Sequence, residues 1–419
     1  MTVQAVGRPF YGWRVVGAAF VLAVFGWGLG FYGPPIYMHA AQEARGWSVA
    51  LVSTAVTVHF LVSAIVVANL PGLYRWLGLP ATTKIAAIAL ALGVSAWALS
   101  AAPWQLLLAT VISGAGWAAL GGAAINAIVA PWFVRARPAA LSTAYNGASI
   151  GGVIFSPLWV AAIDLFGFPL ATAIIGTITA VTVWLLAERV VSRTPQQMGV
   201  APDGDVSGAH AVPVGSSLAR PLPGALLWRD RQFITLAAGM ALGLFAQIGL
   251  IAHLFSLLVP ALGAQGAGLA IGFATACAIA GRTLVGWLMP AGADRRLVAC
   301  SSYAVQIIGS VAFIAAAGKN VPLLLVGITL FGAGIGNATS LPPLIAQVEF
   351  VKEDVQRVVS LIVAIATASF ALAPAVFGAM RAVDLLAAPA QPGHAPLLFA
   401  GAAVVQVLAI ASFWIGRRR

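Results

Sequence analysis

Two stretches of this chain, Ile85–Val134 and Gln232–Gly281, each run for 50 residues without an Asp, Glu, Lys or Arg. One helical crossing of a bilayer takes about 20 apolar residues, so each stretch is too long for one crossing and must double back. Ala102-Pro103 divides the first, and the run ALGAQG (Ala261–Gly266) divides the second. Only 8% of the residues are charged and 61% are hydrophobic, which no soluble globular chain could bury. In lipid every backbone N–H and C=O must be satisfied within the protein, so crossings are helices or closed barrels. Runs this long select helices.

Shorter uncharged runs fill in the rest. Val15–Met38 is span one, closing on Gly33-Pro34-Pro35, and Val49–Gly72 is span two. Ala139–Ile163 and Phe168–Ala187 are spans five and six; Leu297–Ala317, Pro322–Val348, Val358–Met380 and Ala395–Ile415 are nine to twelve. The stretch Glu188–Arg231 differs, with prolines, glycines, both signs of charge and the run PDGDVSGAHAVPVGSS; it reads as a solvated linker. The expected organisation is therefore an all-α integral membrane chain with six spans in 1–188, a cytoplasmic linker at 189–231 and six spans in 232–419. The first run lacks a small-residue cleavage site and is expected to be a retained span.

Charge placement sets the expected orientation. The net charge of +11 is spread over loops, which points to membrane topology and away from nucleic acid. With both termini inside, 18 of the 22 Lys and Arg residues fall on inner segments; Arg45, Lys319 and Arg381 fall outside, and Arg282 falls within a span. That asymmetry fits twelve crossings, because one miscounted helix would scatter it. A multi-pass protein of the bacterial inner membrane, surrounded by lipid, is the expected setting, and a monomer the expected state.

Arg282 is the residue with the most functional content. It lies in the middle third of Ala267–Pro290, about 12 Å along a helix axis from Pro290 at 1.5 Å per residue. A guanidinium there costs roughly 2.5–3.5 kcal/mol on insertion scales unless a wet cavity or a partner receives it. Two readings are open: an anion-binding group, suited to a bidentate carboxylate, or a structural pair with carbonyls, an acid or the membrane surface. No acid is evident deep in another span, which favours an anion that arrives from solution.

An internal echo supports a duplicated half. PWFVRARPAALSTAYNGASIGGVIFSP after span four matches in layout QVEFVKEDVQRVVSLIVAIATASFALAP after span ten, with Phe133 and Phe350, Arg135 and Lys352, and Pro157 and Pro374 in register. These paired loops, the six-linker-six organisation and the span-eight run GRTLVGWL resemble the major facilitator superfamily. The opening YGWRVV, the segment PWFVRARPAAL and Arg282 resemble its bacterial monocarboxylate-transporter-like group and oxalate/formate exchangers. The resemblance implies a major facilitator fold, with twelve transmembrane helices in two six-helix bundles related by a pseudo-two-fold axis. It also implies alternating access, and Arg282 as the substrate-carboxylate ligand. The sequence departs from that pattern in two places. The loop NLPGLYRWLGLPATTK lacks the usual aspartate, and no lysine stands in span one or eleven. With that second cation missing, a small monoanion is expected rather than a dicarboxylate.

Around Arg282, Tyr32, Asn126 and Asn337 are the expected substrate-binding polar groups, from spans one, four and ten. His59, His39 and His253 are the candidate proton carriers, because histidine titrates near neutral pH; packing or interfacial roles compete for each. Proton symport and exchange against a second anion are both compatible. No Walker motif, catalytic constellation or metal-ligand spacing is found, so no cofactor and no enzyme activity are expected. The alternatives are efflux of an amphipathic or drug-like compound through an aromatic site and, from another class, a non-transporting receptor or scaffold.

Overall fold

The structure, a computed structural model, describes residues 10–204, 224–289 and 293–417. Its first element is set by two prolines. α1 (Tyr11–Gly30) stops where Pro34 and Pro35 remove the N–H groups that would bond Gly30 and Phe31, and α2 (Gly33–Arg45) resumes with those prolines in its first turn. The two form one span from Tyr11 to Arg45. α3 (Val49–Leu77) and α4 (Leu79–Leu99) follow, then α5 (Pro103–Ala118) and α6 (Gly122–Val129), α7 (Arg137–Phe166) and α8 (Phe168–Leu186). A one-turn π segment continues α8 to Val191, and the short α9 (Gly224–Leu227) precedes the second half.

α10 (Arg231–Leu288) is 58 residues long. A straight helix of that length spans about 87 Å, more than twice the hydrocarbon thickness. It is not straight, because Gly263 reverses to φ 69° and ψ 168°, the left-handed side where glycine is at ease. α11 (Arg295–Ala316), α12 (Val321–Glu349), α13 (Lys352–Phe370), α14 (Ala373–Ala387) and α15 (Pro396–Ile415) complete the chain. Among the described residues eleven helices are long and apolar enough to cross a membrane. The difference from the expected twelve lies in α10, which counts once but joins two helices across the kink at Gly263.

Contact registers give the direction of its two arms. Thr235 meets Arg296 and Gly243 meets Tyr303, so the first arm runs with α11. Ser302 bonds the Gly334 carbonyl while Phe313 lies against Gly327, so α11 runs against α12. Gly332 packs on Ala274 and Gly336 on Ala278, so α12 runs with the second arm. The arms are therefore antiparallel, and Gly263 is the reversal.

The helices gather into an N-terminal and a C-terminal lobe. Within each, glycines let backbones touch: a Cβ on Gly114 would stand 2.2 Å from the His59 carbonyl oxygen, and one on Gly281 would stand 2.0 Å from that of Ala333. Between the lobes, α2 packs on the first arm of α10 where His39 meets Phe255, and two further seams form. The second arm of α10 packs on α7 through Gly268 with Ser156 and Gly272 with Val153. α3 packs on the α13–α14 bend through Phe60 with Phe370, Thr57 with Ala375 and Ser53 with Gly378. Both seams lie on the face away from the chain termini. Toward the terminal face the same elements carry exposed side chains, among them Ser142, Thr143 and Asn146 on α7 and Trp287, 88% exposed, on α10. The lobes are sealed at one face and leave the other open.

The linker begins ordered. Asp203, itself at φ 62°, accepts the backbone N–H groups of Val134, Arg135 and Ala136 at 2.8–3.1 Å, tying the linker to the start of α7. The rest of the expected linker, 205–223, lies outside the described residues. Desolvation on docking raises the Asp203 pKa, but those three donors and the Arg135 charge outweigh it and hold the pKa below the ordinary 3.8. A depressed carboxyl pKa contributes stability above the undocked pKa, and that stability is lost as pH falls through the docked value. Proteolysis of the 193–204 segment is therefore expected to be slow at pH 7 and to rise as pH falls below the ordinary aspartate range. Asp203→Asn should give the fast rate already at pH 7, by limited digestion followed by mass spectrometry.

Candidate substrate-binding site

The second arm of α10 carries Arg282 past the end of its seam with α7, where it is half-buried. Its Nε donates to the Gly336 carbonyl at 3.2 Å. α12 can come that close because residue 336 is glycine: a Cβ there would stand 3.0 Å from both Nε and Cβ of Arg282 and 2.4 Å from the Ala278 carbonyl. The Nη1 and Nη2 donors are left for other partners. Tyr32, from the break between α1 and α2, lies within the field of the guanidinium. Asn337 is buried next to Gly336, and its Oδ1 has no hydrogen-bond partner among the described residues. Among the described residues no Asp or Glu forms an ion pair with Arg282.

Arg282 of α10 and Tyr32 of the α1–α2 break are thus neighbours, whereas Asn337 only follows Gly336 on α12, with no hydrogen bond from its side chain to either of them among the described residues. Asn126 is not placed with them by any contact. It is an exposed residue of α6 that donates to the Tyr145 hydroxyl at 2.7 Å, while that hydroxyl donates to the Gly122 carbonyl at 2.8 Å. This pair bridges the α5–α6 break to α7. Gln247 of α10, another polar residue of the spans, is buried with its Oε1 unpartnered.

The three histidines fall in different settings. His59 is buried, its Nε2 2.9 Å from the Gly30 carbonyl and its Nδ1 2.9 Å from Ser113 Oγ. Gly30 is the carbonyl that Pro34 cannot serve, so His59 supplies the missing donor. Its Nε2 must carry hydrogen, and Nδ1 is then free to accept from Ser113, which also receives Trp97 Nε1 at 3.1 Å. Every polar atom is satisfied with the ring neutral, which is a helix-repair role.

His253 is 0% exposed. Its Nε2 lies 3.1 Å from the Pro374 carbonyl, and its Nδ1 has no partner among the described residues. His39 lies 3.3 Å from Glu43 without hydrogen-bond alignment and packs edge-on against Phe255 of the other lobe.

Two ionised residues overturn the expectation that Arg282 is alone in the membrane region. Arg381, read from sequence as an outer loop residue, is 5% exposed inside α14. It donates to the His253 carbonyl and to Ser256 Oγ. Asp384 is equally buried, and its two oxygens accept the N–H groups of Leu397 and Leu398 at the start of α15. A buried cation and a buried acid are therefore present within α14, both near the sealed face. The sequence signal for them was a spacing of three, Arg381 to Asp384, which places both on one side of a helix. Span eleven extends past Met380, so this pair lies inside the helix.

The family model described as the Major Facilitator Superfamily matches residues 16–374. Among solved structures, a bacterial homologue of the human lysosomal transporter Spinster is similar over 98% of this chain and 97% of its own. It is described as inward-facing and occupied, at 17% identity and a TM-score of 0.70. The nucleoside transporter NupG is similar over 98% of this chain and 100% of its own, at 14% identity and a TM-score of 0.71. No curated protein matches the chain. Likeness at these identities carries the fold and no substrate.

Proposed function

Because the chain belongs to the Major Facilitator Superfamily and is a secondary-active transporter of small solutes by alternating access, we propose that its solute is a small organic anion, a monocarboxylate, held by Arg282. The observation that carries this is a half-buried guanidinium on the second arm of α10, with one N–H tied to a carbonyl and no carboxylate of the described residues paired to it. A carboxylate arriving from solution supplies the counter-charge and matches the planar fork. Tyr32 and Asn337 complete the polar lining; Asn126 contributes by bracing α6 against α7.

Charge makes the transport cycle obligatory in this reading. With Arg282 unpaired, closing the apolar lobes over it costs several kcal/mol of desolvation; with an anion bound, the pair is neutral and closure becomes accessible. The antiparallel arms of α10 count as two crossings, giving twelve, and both termini lie in the cytoplasm. The open face is then the inner one. Proton coupling falls to His39, His253 or the substrate's own carboxylate, because His59 is spent on Gly30. A neutral nucleoside, the solute named for one structural neighbour, would leave the guanidinium uncompensated.

The test is uptake by the reconstituted protein of acetate, lactate, pyruvate and benzoate, with and without an inward proton gradient. Saturable uptake of monocarboxylates, blocked by one another and not by hydrophobic amines, supports the reading. Uptake of amines alone, or no flux of any solute, rejects it in favour of efflux of amphipathic compounds or a non-transporting role.

A further inference from the structure

Span eleven changes helix where it meets α3. α13 ends at Phe370 and α14 begins at Ala373, and Pro374 leaves the Phe370 carbonyl without an α-helical donor. The residue after the proline does carry an N–H, and its α-helical acceptor would be the Ala371 carbonyl. Among the described residues that bond is not made. The Ala375 N–H donates instead to Oγ1 of Thr57, across the lobes, at 3.0 Å. The first turn of α14 is therefore capped by a side chain of the other lobe.

α3 straddles the bend. Ser53, Thr57 and Phe60 recur at spacings of four and three, which put them on one face of the helix, and all three are buried. On the α13 side Phe60 meets the Phe370 ring edge-on, at 6.0 Å between centroids. On the α14 side a Cβ on Gly378 would stand 2.4 Å from Ser53 Oγ. Thr57 stands between these two contacts, level with the break. Within the C-terminal lobe α14 is held one residue earlier, where Nε2 of His253 lies 3.1 Å from the Pro374 carbonyl and must donate, because a carbonyl only accepts. If the lobes part at the sealed face, the His253 bond travels with α14, since α10 and α14 share a lobe. The Thr57 bond has to break.

We infer that Thr57 is the gating residue of span eleven: it holds the α13–α14 bend while the face is sealed, and on opening it releases the Ala375 N–H to the Ala371 carbonyl. A backbone N–H left without an acceptor in an apolar seam is costly, and the Ala371 carbonyl is the acceptor that the helix itself provides, four residues back. The N–H thus has one acceptor for each state, and opening exchanges one bond for another. Taking the second acceptor adds a helical bond across the bend, so span eleven is bent in the sealed state and straighter in the open one. Thr57 acts through the position of α14 and touches no solute. The inference needs alternating access alone and is independent of the monocarboxylate reading.

The test reads the bend directly, with no ligand. Nitroxide labels are placed at Val363→Cys on α13 and Val383→Cys on α14, both exposed, in the full chain with Cys277→Ser and Cys300→Ser, in lipid nanodiscs. A continuous helix would separate the two backbone positions by about 30 Å at 1.5 Å per residue. Pulsed electron–electron resonance is expected to give a shorter distance from the bent form and a component near that length from the straighter one. Thr57→Val, which keeps the shape and removes the acceptor, is expected to raise the ratio of long to short about two- to tenfold, the factor one hydrogen bond commands. Thr57→Ser, which keeps the hydroxyl, is expected to stay near wild type. On Ala375→Pro, which has no N–H to exchange, Thr57→Val is expected to change nothing further. One distance in every protein, or a ratio that Thr57→Val leaves unaltered, overturns the proposal. The same rise on the Ala375→Pro background, or a Ser variant shifted as far as Val, makes Thr57 a packing residue and overturns it too.

Discussion

Proteoliposomes carrying Arg282→Ala are expected to take up monocarboxylates roughly thirtyfold to several thousandfold more slowly than wild type, at equal protein and equal gradient. Truncating one partner of a desolvated charge pair costs about 2–5 kcal/mol, and each 1.4 kcal/mol is a factor of ten. Arg282→Lys is expected to recover little of this, to within roughly ten- to a hundredfold of wild type. An ammonium is a point charge, and it cannot both bond the Gly336 carbonyl and offer a planar pair of donors. The variants should fold, since Arg282 is half-exposed and makes one bond to the protein through Nε at 3.2 Å. Gel-filtration profiles and melting curves near those of wild type would separate loss of transport from loss of structure. Uptake by Arg282→Ala with unaltered KM and Vmax would remove the residue from the site.

The largest expected effect on stability lies elsewhere in the same lobe. Arg296, fully buried at the start of α11, forms a two-pronged pair with Glu349 at the end of α12, with Nε to Oε1 at 2.6 Å and Nη2 to Oε2 at 2.7 Å. Its remaining donors reach Thr235 Oγ1 at 3.0 Å and the Gln232 carbonyl at 2.8 Å on α10. Glu349→Ala leaves that guanidinium buried and uncompensated, and is expected to cost about 3–5 kcal/mol. The double change Arg296→Met with Glu349→Leu is expected to regain most of the loss, because it removes the charge along with its partner. Chemical-denaturation midpoints in detergent would measure both. A Glu349→Ala protein as stable as wild type would mean that water reaches Arg296.

How much of this was legible in the sequence follows from what each feature depends on. The crossings were, because an uncharged run longer than 20 residues has only one solvent that suits it. The prolines at Gly33-Pro34-Pro35 were legible as an interruption, since proline lacks the donor wherever it stands, but they were read as the close of span one, which α2 instead carries on to Arg45. Arg282 stood out because its neighbours on both sides are apolar. Arg381 did not, because the run that contains it was ended at the charge itself; Asp384 was hidden by the same cut. The division at ALGAQG was legible because it holds the glycines, and Gly263 within it, at a non-helical φ and ψ, is where α10 turns from one arm to the other. The pairing of His59 with Gly30 and the meeting of Tyr32 with Thr275 over Gly152 join residues far apart in the chain. No spacing rule in a single sequence encodes contacts of that kind.

The central claim is that the Arg282 guanidinium is an anion site awaiting its counter-charge from solution. Calorimetric titration of the purified chain with pyruvate and benzoate, repeated on Arg282→Ala and with a hydrophobic amine as the control ligand, measures this directly. One carboxylate bound per chain in wild type, absent in Arg282→Ala, with no binding of the amine, is the predicted result. Carboxylate binding that survives Arg282→Ala, or amine binding in place of it, would contradict the account.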